Sequence, residues 1–261
     1  MKPFCPYFLR DRKRAFTLIE LLLVMAVVAL LAALSLQSIS SLQDSGNITA
    51  GAYNLSGILE NARAYAMSNN TYTWVGFFEE SNSVGTRTTT PINVAPPYTS
   101  PNVGRLIVCV VAAIDGTKNL TRVDPTSGLT VSNLVALQKL TGIQNLHITN
   151  LNTSLAPATG SATQPNTLSG RPVANSFLDN ENGAVAAISP YTFSMYNYTF
   201  YKTISFSPRG EAELDVPSPT LQHLIEIGLL PTHGGTVNTA TKNLFAIQIT
   251  GLGGVVELFR P

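Results

Sequence analysis

Charge is scarce in this chain: only 12% of its 261 residues are Asp, Glu, Lys or Arg. Cysteine is scarcer, with Cys5 and Cys109 alone. An apolar run separates the two, so they build no disulfide framework and offer no paired-cysteine zinc site. Cys109 lies in an apolar segment and reads as a buried, inert thiol. The three histidines, His147, His223 and His233, have no i,i+4 partner and no Cys or acidic cluster at metal-ligand spacing. No G-x-S-x-G, Walker A or H-E-x-x-H pattern occurs. No strict internal repeat is visible. The chain is therefore expected to be non-enzymatic, with no cofactor and no bound metal. A weak Ca²⁺ reading around Asp179 and Glu181 matches no fixed loop spacing.

What the chain does have is one long apolar run. RKRAFTLIELLLVMAVVALLAALSL (Arg12–Leu36) opens on a basic cluster and then carries a single carboxylate, Glu20. As a helix at about 1.5 Å per residue, Phe16–Leu36 reaches roughly 31 Å, matching a bilayer core of about 30 Å. Nothing later in the chain is comparably long and apolar. Lys2, Arg10, Arg12, Lys13 and Arg14 precede the run against one acid, Asp11. Positive flanks stay in the cytoplasm, which predicts a single-pass inner-membrane protein with its C-terminal bulk outside. A cleaved secretory signal is the competing reading, but such a signal has a shorter apolar core and a small-residue cleavage site.

K-R-A-F-T-L-I-E followed by an aliphatic run resembles the class III leader of type IV pilins and type II secretion pseudopilins. The resemblance implies a pilin-like α+β fold, in which a long N-terminal helix, membrane-spanning in its first half, packs on an antiparallel β-sheet. It implies cleavage between Ala15 and Phe16 by a prepilin peptidase and N-methylation of Phe16. It also implies that Glu20 meets the N-terminal ammonium of a neighbouring subunit during assembly. Further partners implied are other pilin or pseudopilin subunits and an inner-membrane assembly platform. Where the family prefers Gly before the cut, this chain has Ala15.

The expected organisation is a leader over 1–15, a transmembrane helix over 16–36, an extracytoplasmic helix over 37–70 and a β-rich domain over 71–261. Polar insertions are expected at about 79–104 and 150–183. Apolar residues at 3–4 residue spacing, such as Leu55, Leu59, Ala62 and Ala66, mark the helix face that packs on the sheet. Gly46 and Gly51 predict a bend or break, and Glu60 and Arg63 are spaced to pair. Asn69-Asn70 marks the stop. Thr71–Phe78 and the continuous run Arg105–Ile114 read as strands, the second ending at an Asp115-Gly116 turn, with Asn119–Asp124 as a returning strand. Val131–Leu140 fits helix or strand. Asn150–Asn182 reads as a solvated surface excursion, with a partner-binding loop as the alternative. The aromatics between Tyr191 and Phe206 fit core and cross-strand packing, with a glycan- or peptide-binding stripe as the alternative. Leu221–Leu230 reads as a strand, with helix as the alternative, and Leu244–Thr250 with Val255–Phe259 reads as a terminal hairpin.

ISFSPRGEAEL (Ile204–Leu214) and LFAIQITGLGGVVELFRP (Leu244–Pro261) resemble the ending of H-type minor pseudopilins, the GspH/FimT group. The whole also resembles prepilin-type proteins of the Verru_Chthon cassette, its D member in particular. With the five Lys/Arg and one Asp of residues 1–15 set aside, 11 basic and 14 acidic residues remain, a formal −3. That balance argues against a nucleic-acid partner, which needs basic stripes. Two functions are carried forward. One is a structural minor pilin or pseudopilin; the other is an uncleaved, membrane-tethered binding module of adhesin or carbohydrate-binding type.

Overall fold

The computed structural model describes residues 17–81, 103–118, 131–151, 168, 171–172, 174, 176–178, 193–196, 198–200, 202–214, 222–238 and 243–260, with backbone alone for 33–45, 81 and 131. The chain divides into two compact units, Met1–Gln43 and Asp44–Pro261. One helical assignment, α1 (Leu18–Ser68), runs through both.

As the sequence predicts, the fold is α+β: a helix followed by antiparallel sheets. The strands are β1 (Thr73–Ser81), β2 (Gly104–Ala113), β3 (Leu134–Ala136), β4 (Thr141–Gln144), β5 (Leu146–Thr149), β6 (Ser176–Phe177), β7 (Phe193–Met195), β8 (Tyr198–Phe200), β9 (Lys202–Phe206), β10 (Ala212–Leu214), β11 (Leu224–His233), β12 (Thr236–Val237), β13 (Phe245–Thr250) and β14 (Val256–Phe259). The first sheet has the order β10-β9-β1-β2-β3, with β4 also on β2. The second has the order β12-β11-β13-β14, with β5 and β6 also on β11. Of its pairings only β6 with β11 is parallel among the described strands.

Alternation along the strands explains the continuous apolar runs. Leu106, Val108 and Val110 of β2 enter a core shared with the helix and the second sheet, while Ile107, Cys109 and Val111 face an aromatic cluster on the other side. A strand covered on both faces needs no polar residues, hence RLIVCVVAA. The shared core takes Leu55, Leu59, Ala62 and Ala66 from the helix, Val75 and Phe77 from β1, and Ile225, Ile227, Ile247 and Ile249 from the second sheet. The hairpin β7–β8 supplies Phe193 and Phe200, fully buried, to the opposite cluster with Trp74. Among the described aromatics of that stripe Phe193, Phe200 and Phe206 are buried and Tyr198 is half-buried, while Tyr196 at the hairpin turn is exposed; Tyr191 and Tyr201 lie outside the described residues.

Several local expectations change. The helix does not break at Gly51, because Gly51 is a contact point: a Cβ there would lie 2.7 Å from Leu146 Cδ1 and 2.9 Å from Ile143 Cγ2. The glycine brings the helix backbone close to β4 and β5. The Glu60–Arg63 pair is not formed; Arg63 lays its side chain over Gly210 and Gly254 instead. At the helix end Asn70 takes φ 49°, and Asn69 Nδ2 donates to the Tyr65 carbonyl at 3.1 Å. β1 continues through Glu79 and Glu80 to Ser81, where the sequence places the start of a loop. Val131–Leu140 is neither a full helix nor a full strand but a single 3-10 turn, Val131–Asn133, leading into β3. Asp115 Oδ1 accepts from the Thr117 amide at 2.9 Å in the predicted turn. The expected return strand over 119–124 and the Asp179/Glu181 pair lie outside the described residues.

The stretch 150–182 reads as solvated, yet its described residues enter the fold. Leu151, Leu168, Ala174 and Leu178 are buried, and Ser176–Phe177 pairs with β11. Composition averaged over the segment conceals these few buried apolar residues; the rest of the stretch lies outside the described residues.

Candidate functional site

The first candidate lies at the start of α1. Thr17 stands as the N-cap before Leu18, and Glu20 as the third helical residue. The Glu20 amide donates to Thr17 Oγ1 at 3.3 Å. In return Glu20 Oε2 accepts from the Thr17 amide and from the Thr17 hydroxyl, each at 3.1 Å. This is a closed capping box, in which side chains satisfy amides that the first helical turn leaves without partners. A carboxylate here also complements the positive end of the helix dipole. The T-x-x-E spacing of Thr17–Glu20 is itself a capping-box pattern in the sequence. Ala15 and Phe16 lie outside the described residues.

Beyond the cap, the helix is apolar all round. The large side chains from Leu18 to Leu31 are 51% to 86% exposed among the described residues. A helix that is hydrophobic on every face needs a surrounding apolar medium or partner. Among the described residues no helix is long and apolar enough to cross a membrane.

A second polar centre joins the two sheets. Glu79, at the end of β1, accepts from the Ile148 amide at 2.5 Å and sits 3.0 Å from His147 Nδ1. Lys202 Nζ on β9 lies 3.7 Å from its other oxygen. Burial pushes the Glu79 carboxyl up, but Lys202, His147 and the Ile148 amide together hold it below its ordinary value. His147 thus has a structural explanation, an ion pair within the fold. His223 and His233 are exposed and lie elsewhere on the second sheet. Among the described residues no group of three or more His, Cys, Asp or Glu is arranged to hold a metal ion.

A third centre is buried in the second sheet. Glu226 on β11 is 1% exposed; its Oε2 accepts from Gln248 Nε2 at 2.7 Å, and its Oε1 lies 3.3 Å from Arg171 Nη1. Burial raises the Glu226 carboxyl, and neither the Gln248 bond nor Arg171 brings it back to normal. Arg171 comes from the stretch that the sequence assigns to solvent. Only the lone charge type at each of Arg171 and Glu226 was visible in the sequence; their pairing over such a separation was not. Cys109, buried beside Trp74, has its thiol pushed up to about 12 by burial, which leaves it protonated and unreactive.

Comparison with protein families places one match on the chain: the prokaryotic N-terminal methylation motif, over residues 10–36. Comparison with curated proteins and with solved structures finds no match. The matched segment contains Ala15, Phe16, Thr17 and Glu20.

Proposed function

We propose that this chain is a non-enzymatic subunit of a type IV pilus-like or type II secretion filament. It is cut between Ala15 and Phe16 by a prepilin peptidase, methylated at Phe16 and assembled through its N-terminal helix. The observation that carries this reading is the methylation motif over residues 10–36, whose described helical residues are apolar and exposed. In this reading the run Phe16–Leu36 spans the inner membrane, the basic leader stays in the cytoplasm, and the β-rich unit lies outside. The H-type minor pseudopilin likeness of the C-terminal strands favours a minor subunit.

The role of Glu20 follows from its surroundings. In the isolated chain Thr17 supplies hydrogen bonds to its carboxylate but no positive charge. An uncompensated carboxylate deep in a bilayer costs about 2.5–3.5 kcal/mol, and less near the interface. The Phe16 ammonium of a neighbouring subunit would remove that cost. Assembly is then favoured over the dispersed state, and the pair fixes the axial register of one helix on the next.

The test is the intact mass and N-terminal sequence of the protein from native membranes. A chain beginning at N-methylated Phe16 is expected. A chain beginning at Met1 would overturn the reading and leave the uncleaved, membrane-tethered binding module, for which Ala15 in place of Gly is the supporting observation.

A further inference from the structure

The corner where α1 meets two turns carries an arginine with no partner among the described residues. Arg63 crosses the turn at Gly210, between β9 and β10, and the turn at Gly254, between β13 and β14. A Cβ on Gly254 would lie 3.0 Å from Arg63 Cδ and 3.2 Å from its Nε, and a Cβ on Gly210 would lie 3.3 Å from that Nε. Both glycines hold positive φ, +84° and +59°. A side chain at either position would be strained and would crowd the arginine out. The two turns also touch, since a Cβ on Gly254 would strike the Gly210 carbonyl.

One nitrogen of the guanidinium held in this notch finds no partner among the described residues. Arg63 Nε is shut away from solvent with no hydrogen-bond partner, while its terminal nitrogens are not shut away. Among the described residues Arg63 forms no ion pair, although Glu60 stands three residues before it. Arg209, exposed and directly before Gly210, forms none either. Among the described residues neither arginine is paired with a carboxylate. Apolar side chains rim the same corner: Leu252 is 72% exposed, Met67 47% and Val255 44%. Arginine and methionine beside aliphatic side chains is the composition of a protein interface. A surface reading nucleic acid would be a basic stripe without the aliphatic rim.

We propose that this corner is a docking site for a carboxylate-bearing patch of a neighbouring pilin-type subunit. A carboxylate meets the open end of the Arg63 fork, and Leu252 and Val255 pack against aliphatic side chains beside that carboxylate. The charge complementarity is available, because this chain itself is formally −3 beyond residue 15 and subunits of similar composition present more acids than bases. The inference rests on the filament reading and names a contact made by the outer unit, separate from the Glu20 pair.

The test uses the full-length chain in its own membranes, with a photo-crosslinking residue in place of Leu252. Arg63→Gln keeps the aliphatic stem over the glycines, and Arg63→Glu reverses the charge. Both are expected to be processed at Phe16 and to unfold like the wild type. Incorporation into the filament fraction should fall about tenfold for Arg63→Gln, equivalent to 1.4 kcal/mol, and further for Arg63→Glu. The wild-type crosslink should join a second chain with a methylated N-terminus and disappear in Arg63→Glu. Equal incorporation of Arg63→Glu, or crosslinks only to lipid or nucleic acid, would overturn the proposal. A wild type that is never processed or incorporated would instead overturn the filament reading, and this contact with it.

Discussion

Glu79 Oε1 sits 3.0 Å from His147 Nδ1, so a carboxylate from the first sheet is held by a histidine from the second. Both side chains are more than nine-tenths buried, and Lys202 adds a cation from β9. The Glu79 carboxyl is held below its ordinary value in the folded protein. A group whose folded value is depressed stabilises above its unfolded value and loses that contribution as pH falls through the folded one. The fold should therefore weaken in acid. Glu79→Gln should cost about 3–5 kcal/mol near neutrality, as expected for a buried ion pair left with one partner. The cost should shrink at low pH, where the wild-type carboxyl is protonated as well. Urea unfolding across a pH series checks this; a pH-independent cost would refute it.

The Arg171–Glu226 pair has the opposite sign. Burial raises the Glu226 carboxyl, so its contribution falls as pH rises through the carboxylate range. Arg171→Met removes the cation and should destabilise by about 3–5 kcal/mol at neutral pH, with less effect in acid. The double variant Arg171→Met/Glu226→Gln should recover most of this loss, because no buried charge remains and Gln248 still has an acceptor. Near-UV circular dichroism during urea unfolding, which reports on Trp74, measures all three.

Gly51 and Gly57 stand on the same helix and should respond in opposite directions. Alanine gains roughly 0.5–1 kcal/mol over glycine in a helix interior. Gly57 has nothing within 4 Å of a new Cβ, so Gly57→Ala should stabilise by that amount. At Gly51 the methyl group meets Leu146 at 2.7 Å, and overpacking costs about 1–3 kcal/mol. Gly51→Ala should therefore be neutral to destabilised by about 2 kcal/mol. Thermal midpoints of the two variants give the comparison, and equal stabilisation by both would be inconsistent with the contact.

Glu20→Gln separates the two roles of that side chain. Glutamine can close a capping box, so the helix start should survive. The charge is gone, so the pair with a neighbouring ammonium is lost. Membrane insertion and processing should be unchanged, and incorporation into filaments should fall on the order of tenfold, the effect of 1.4 kcal/mol. Glu20→Ala should insert equally well and assemble no better. Normal incorporation of either variant would refute the assembly role.

The N-terminal segment was legible because its signals are local. Charge asymmetry, the T-L-I-E spacing and one uninterrupted apolar run are all read within a few helical turns, and physics at that range depends little on the rest of the chain. The same holds for the Asn69-Asn70 stop, the β2 strand and the terminal hairpin. Tertiary structure decided what depends on residues far apart in sequence. Gly51 looks like a helix breaker until β4 and β5 arrive beside it. Residues 150–182 look solvated until Leu168 enters a core and Arg171 meets Glu226. Arg63 looks like the i,i+3 partner of Glu60 until two glycine turns, nearly 150 and 190 residues later, open a notch that holds it elsewhere. Composition and period report a residue's average environment; only packing supplies the particular neighbour that turns a gap, a charge or a missing side chain into a contact.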